Sequence, residues 1–214
     1  MNSRLGTMRW LGTFVLVAGL VGAVFAVFYR VDVNNKRDIV KTNVQTEVNL
    51  IGQLITGRLH VVTSDLMPLA RQNELQEMLQ SGDAGWREAP AAEYLSLLTR
   101  KGIYDQIRFL DETGMEVVRV NFNNGSPAIV SNERLQSKAE RYYFADTFLL
   151  ERDEVFVSPL DLNIEGGEIE RPLRPVIRLG TPVLDLGGRK RGIVLVNYLA
   201  ADMLGALESA DGLP

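Results

Sequence analysis

Residues 11–29 carry no charged side chain. The run is built from Leu, Val, Ala, Gly and Phe and is bounded by Arg9 and Arg30. A bilayer core takes about 20 apolar residues in a helix. Backbone in hydrocarbon must satisfy its own polar groups, so this stretch is expected to cross a membrane as a helix. Trp10 and Tyr29 stand at its two ends, where aromatic rings sit at headgroup level, and Gly12, Gly19 and Gly22 are tolerated in such helices. A cleaved signal peptide would have an apolar region of about 7–15 residues followed by small residues. Here Ala26 is followed by Val27, Phe28, Tyr29 and Arg30, which favours an uncleaved anchor. Arg4, Arg9 and the amino terminus precede the helix; Arg30, Lys36, Arg37 and Lys41 follow it. That count slightly favours a cytoplasmic C-terminal part, although large domains are translocated regardless of such charges.

The 214 residues allow one further domain. The balance of 23 Lys and Arg against 27 Asp and Glu argues against nucleic acid as a partner, because neutralising phosphates needs a basic face. There is no cysteine, which excludes disulfides, thiolate metal sites and thiol nucleophiles. The single histidine, His60, falls in a helical stretch and reads as a solvated side chain.

From residue 33 to residue 80, apolar residues recur at three- and four-residue spacing, which predicts a long helix. Such a helix can pack on its own domain or on a second copy of the chain. The first turn chemistry is at residues 81–85. A short helix is expected over 91–101, closed by Gly102. The period then becomes two. Residues 103–111 and 115–121 read as a hairpin through Asp111, Glu112, Thr113 and Gly114. Residues 137–150 read as a helix, with Ser137 as N-cap and Glu140 three positions on. A short strand is expected at 155–157 and a turn or flap at 163–168. Strands at 175–184 and 191–200 are joined by a Gly187-Gly188 hairpin. Pro182 places its strand at an edge or a bulge. The order predicts an α+β fold, an antiparallel sheet with helices covering one face, and not alternating βαβ units.

Catalysis has little to stand on. A Ser-His-Asp set would have to use His60, and no nucleophile–base pair can be named. Asp161, Glu165, Glu168 and Glu170 lack the regular spacing of a calcium loop and read as solvated acids. No metal or cofactor is expected. Arginines within strand runs say more. Arg108, Arg119 and Arg178 each lie between apolar neighbours, so alternation puts each on the face opposite those neighbours. With a four-residue loop at 112–115, Arg108 faces Arg119 directly. Like charges so placed destabilise a bare sheet unless they are exposed or an anion lies between them. A guanidinium fork suits a carboxylate. The alternatives are that these arginines point to solvent, or pair with Glu116 and Asp105. Arg141, Tyr142, Tyr143 and Phe144 cannot share one side of a helix, so some of the rings belong to a core and a Tyr hydroxyl is available for a pocket wall.

These segments, in this order, resemble the Cache (PDC) family of extracytoplasmic sensors, whose fold is PAS-like. Tyr104 to Asp111 and Gly114 to Asn121 look like the first hairpin. Arg141 to Phe144 followed by Ser158 to Asn163 is similar to the ligand-side segment, and Pro175 to Val183 with Gly192 to Tyr198 to the closing strands. The likeness covers about residues 30–204 and points to the membrane-distal module of a double-Cache receptor. In many such sensors an Arg-x-Trp-Tyr segment and a later Tyr-x-Asp form the pocket. Arg141, Tyr143 and Phe144 match the first loosely and Asp161 matches the acid of the second, while Pro159 stands where Tyr would. The amino-acid-binding motif is therefore incomplete.

The resemblance implies a small-molecule sensing module without catalysis of its own, in the periplasm and anchored in the bacterial inner membrane. A small carboxylate or amino-acid-like ligand is expected at Arg108, Arg119, Arg141, Tyr143, Phe144, Asp161 and Arg178. The expected organisation is a cytoplasmic tail at 1–10, a membrane helix at 11–29, a long helix at 30–80, a sensor domain at 81–200 and the start of a further helix at 201–214. The expected partners are the ligand, membrane lipid and a second copy of the chain. Family members continue into an output region of histidine kinase, diguanylate cyclase or chemotaxis type. None is read in this sequence, which implies a fragment or a partner that carries the signal. The competing reading is a ligand-free, membrane-tethered structural or dimerisation domain.

Overall fold

The computed structural model describes residues 2–81, 87–162, 164–165, 168–169, 171 and 173–211. Contacts divide the chain into residues 1–53 and residues 54–214. The described residues of the first unit are all helical, as part of α1 (Asn2–Arg71). Its large apolar side chains from Phe14 to Tyr29 are 49–73% exposed. This is the one helix among the described residues long and apolar enough to cross a membrane, with a window of mean hydropathy 1.9.

The second unit is built on an antiparallel sheet. Its strands are β1 (Tyr104–Asp111), β2 (Glu116–Asn121), β3 (Ala128–Ile129), β4 (Phe156–Val157), β5 (Asp161–Leu162), β8 (Pro175–Leu184) and β9 (Lys190–Leu199). The order is β3-β2-β1-β9-β8-β4, with β5 also paired to β8. A separate two-stranded hairpin is formed by β6 (Ile164–Glu165) and β7 (Glu168–Ile169), where a turn or flap is expected from sequence. The β1–β2 turn holds itself: one carboxylate oxygen of Asp111 accepts from the Thr113 amide at 2.8 Å, the Thr113 hydroxyl at 2.6 Å and the Met115 amide at 3.1 Å. The expected register follows, with Arg108 opposite Arg119, and a bulge then brings Leu110 opposite Glu116. Pro182 pairs only with Ile193 of β9. The partners of β8 on its other side, β4 and β5, stop at Gly180 and Val176, so no ladder bond needs the missing amide.

One face of the sheet is apolar. Ile107, Phe109, Val118, Val120, Leu179, Val194 and Val196 bury there against the end of α1, α2 (Asn73–Ser81) and α3 (Glu88–Lys101). Val62, Leu66, Leu75, Tyr94 and Leu98 supply the helical side. Each fully buried side chain of this size contributes roughly 1.5–3 kcal/mol. Helix α3 ends where its sequence predicts, with Gly102 at φ +64° donating its amide to the Leu98 carbonyl. The long helical pattern breaks at Gln72, which separates α1 from α2.

Two expectations need correction. Residues 137–141 are not helical: α4 is Tyr142–Leu149, with Arg141 at its N-cap and no side-chain cap. Ser137 bridges Met115, the Lys138 amide donates to the Gly114 carbonyl at 2.7 Å, and the chain then turns through 139–140 with the Arg141 amide on the Lys138 carbonyl at 3.0 Å. Nor do the helices cover one face only. Helix α4 lies on the opposite face, where Tyr143 and Phe144 meet Leu110, Ile193 and Leu195. Gly180 permits this approach, because a Cβ there would stand 2.7 Å from the Thr147 hydroxyl and 2.9 Å from a Leu195 methyl.

Candidate functional site

The face that carries α4 is polar over two cross-strand rows. Arg178, Asn197, Gln106 and Asn121 form one row across β8, β9, β1 and β2; Gly180, Leu195, Arg108 and Arg119 form the next. Strand alternation alone puts these side chains on the side away from the main core. Arg108, Arg119 and Arg178 are only 3–5% exposed, so each needs a counter-charge within reach.

Glu116 supplies it for two of them. Its carboxylate is 3.4 Å from Nη1 of Arg108 and 3.1 Å from Nη1 of Arg119, and it accepts the Gln136 amide at 3.1 Å. Arg108 also donates through Nη2 to Asn197 Oδ1 at 2.9 Å. Arg178 pairs with Asp161 at 2.8 Å. The Tyr143 ring lies between the two systems, 5.8 Å from the Arg108 guanidinium carbon and 5.2 Å from that of Arg178, within the range of cation–π attraction. The Nε atoms of Arg119 and Arg178 are buried and have no hydrogen-bond partner among the described residues.

Arg108, Arg119, Arg178, Tyr143 and Asp161 thus come together on one face. Phe144 lies beside them in the small apolar cluster, 5.6 Å from the Phe148 ring. Arg141 is half-buried, and its guanidinium makes no hydrogen bond or ion pair with the described residues. Of the alternatives open at sequence level, pairing with Glu116 holds for Arg108 and Arg119, whereas Asp105 pairs with Arg174 at 2.8 Å. Sequence reasoning missed Asn197 and Gln106. For Asn197 the signal available was a lone amide directly after the run Ile193 to Val196. His60 is exposed on α1, as expected. The side chains of Glu165, Glu168 and Glu170 lie outside the described residues. No group of three metal-ligating side chains occurs among the described residues.

Three cavities among the described residues are not lined by Arg108, Arg119 or Arg178, although Glu116 lines the first. One of 480 Å³ runs between Met78, Phe109, Met115 and Arg191; one of 320 Å³ is bounded by Arg71, Gln76 and Asp185; one of 800 Å³ opens between Ala91 and Ile129.

Residues 55–208 match the family model described as "Bacterial histidine kinase, sensor domain". The chain belongs to this family. As a member of the histidine kinase sensor domain family it is a sensor of the Cache-like type, and such domains have no catalytic activity of their own. Its fold is similar to that of a domain of a sensory box/GGDEF family protein from Vibrio parahaemolyticus (TM-score 0.65, 21% identity, 75% of this chain and 60% of that one). It is also similar to the sensor domain of the V. cholerae histidine kinase DctB (TM-score 0.58, 13% identity, 79% and 58%). A third likeness is to the ligand-binding domain of the Campylobacter jejuni chemoreceptor Tlp3, solved with 4-methylisoleucine (TM-score 0.57, 8% identity, 74% and 58%). At these identities the likeness shows the fold. The chain spans about three fifths of the length of these solved domains. No curated protein matches it.

Proposed function

We propose that this sensor domain is the extracytoplasmic module of a membrane receptor and that its arginine face binds a small carboxylate or an amino-acid-like ligand. The observation that carries this reading is on that face: the buried Nε donors of Arg119 and Arg178 have no hydrogen-bond partner among the described residues. Burial makes such donors costly when unmet, and a carboxylate fits a guanidinium fork. Tyr143 provides a flat wall over the cations. Arg141 adds a guanidinium free to take a second anionic group. The related chemoreceptor domain is solved with 4-methylisoleucine, an amino-acid derivative that carries a carboxylate. Residues 11–29 anchor the module in the inner membrane, and residues 54–214 lie in the periplasm.

The test is a thermal-shift screen of the full chain in detergent micelles against acetate, propionate, malonate, glycine and alanine. A ligand that binds only the folded state raises Tm by mass action, equivalent to about 2.7 kcal/mol at one hundred times Kd. A rise with a carboxylate, lost in Arg178→Ala or Arg141→Ala, supports the reading.

A ligand-free domain that pairs with a second copy is favoured by a different observation: Arg108, Arg119 and Arg178 already find internal counter-charges. A folded sample with no shift from any probe selects this second reading.

A further inference from the structure

Asp161 reaches the arginine face from β5, a two-residue strand held to the end of β8 through Val176 and Pro175. Its side chain is 38% exposed, whereas the Arg178 side chain it pairs with is 5% exposed. The pair is single-pronged. One carboxylate oxygen, Oδ2, meets Nη1 of Arg178 at 2.8 Å and accepts from the Tyr142 hydroxyl at 3.3 Å; the other oxygen accepts the Leu162 amide at 2.8 Å. The Nε of Arg178 is buried and has no hydrogen-bond partner among the described residues.

A guanidinium this deeply buried is strongly destabilising without a counter-ion. An anion that reaches Arg178 must therefore exchange with Asp161 rather than wait for it to leave. Replacing one carboxylate by another conserves charge. A free carboxylate can also take Nη2 and Nε together, a two-pronged and stronger pairing, and with that charge in place Asp161 on Nη1 is a second anion on one cation. A carboxamide brings no charge to the exchange.

We infer that Asp161 is a resident carboxylate that a ligand carboxylate displaces from Arg178, and that β5 is released from β8 in the same exchange. The inference rests on the carboxylate reading of the arginine face. It gives the domain two states that a ligand can bias: β5 tethered with the site closed, and β5 released with the site filled.

The experiment is a calorimetric titration of the full chain in detergent micelles with acetate, propionate and malonate, for the wild type and Asp161→Asn. It is paired with hydrogen exchange at the amides of β5. Asn keeps the shape of Asp161 and removes its charge, so the internal competitor is lost; Arg178 without its counter-ion lowers stability, so a thermal melt first establishes that Asp161→Asn is folded at the titration temperature. Removing a competitor that occupies the site most of the time raises apparent affinity by about tenfold. The expected result is tighter carboxylate binding by Asp161→Asn. In the wild type, β5 amides exchange faster once malonate saturates the site; in Asp161→Asn they exchange fast without it. If the wild type binds carboxylates and Asp161→Asn binds them equally or more weakly, Asp161 is a bystander or a ligand contact. The exchange is then wrong, while the carboxylate reading stands. If neither folded protein binds any of the three acids, both fall together.

Discussion

Arg108 and Arg119 are direct partners across two antiparallel strands, and the carboxylate of Glu116 lies within 3.4 Å and 3.1 Å of their nearer nitrogens. Two like charges placed opposite each other on a sheet repel. The third charge, buried beside them, turns the repulsion into a bridged triad. The β-bulge at the end of the hairpin makes this possible, because it turns Glu116 onto the arginine face opposite Leu110.

Glu116→Gln keeps the shape and removes that charge. Loss of one partner from a buried ionic cluster costs about 3–5 kcal/mol, and urea unfolding should show a lower midpoint with an unchanged slope. Adding Arg119→Met removes one of the stranded cations. The double variant is therefore expected to be more stable than Glu116→Gln alone.

Gly180→Ala should cost about 1–3 kcal/mol, because the new methyl meets Thr147 and Leu195 at under 3 Å. The clash lies with side-chain atoms, so Thr147→Ala should recover much of the loss. A thermal melt of the single and double variants reads this. No recovery would mean that the strand, and not the α4 contact, sets the requirement for glycine.

The Tyr104 hydroxyl donates to Asp65, tying β1 to α1. Burial first, and Asp65 second, push its pKa well above the ordinary phenol value. The folded state therefore keeps the proton that the unfolded chain gives up. This contribution to stability is complete below about pH 10, the unfolded phenol pKa, and is lost as pH rises beyond it toward the folded value. Tyr104→Phe should be less stable than wild type by about 1 kcal/mol at pH 7 through loss of the hydrogen bond. Its urea midpoint should fall less steeply between pH 9 and pH 11. Tyr94 and Tyr198, whose pKa values are also raised by burial, keep part of the slope.

Leu20→Arg combined with Val21→Arg should release the chain from the membrane fraction, since each charge near the centre of a spanning helix costs about 2.5–3.5 kcal/mol on insertion. Retention of the double variant in washed membranes would exclude residues 11–29 as the anchor. A reporter enzyme active only outside the cytoplasm, fused after Asp211, should be active on the wild-type chain.

Much of the sheet was legible in the sequence. Alternation in β1, β2, β8 and β9, together with the Asp111 turn, sets both the faces and the pairing of Arg108 with Arg119, because side-chain direction in a strand has a period of two. The pattern that misled was Ser137 with Glu140. It reads as a capping box, but the Lys138 amide and the Gln136 carbonyl pair with Gly114 and Glu116, which holds Ser137 in a bridge to Met115, and the Ser137 hydroxyl accepts the Ala139 amide at 3.4 Å without starting a helix. Local helix signals yield when a tertiary partner satisfies the same backbone groups. Asn197 went unread because a lone amide in an apolar strand shows no partner until the neighbouring strand is placed.

What the sequence by itself determined is whatever depends on near neighbours along the chain. This includes the uncharged run that one helix can carry across a membrane, the end of α3 at Gly102, and the strand faces. Only the tertiary structure decided which charges meet. Glu116 reaches Arg108 through the bulge, Asp161 reaches Arg178 through β5, and Tyr143 lies over both arginines because Gly180 lets α4 approach the sheet. The physical reason is that these contacts are governed by distance in space, and the partners of Arg108 and Arg178 come from separate strands and a helix whose placement depends on how the whole sheet packs.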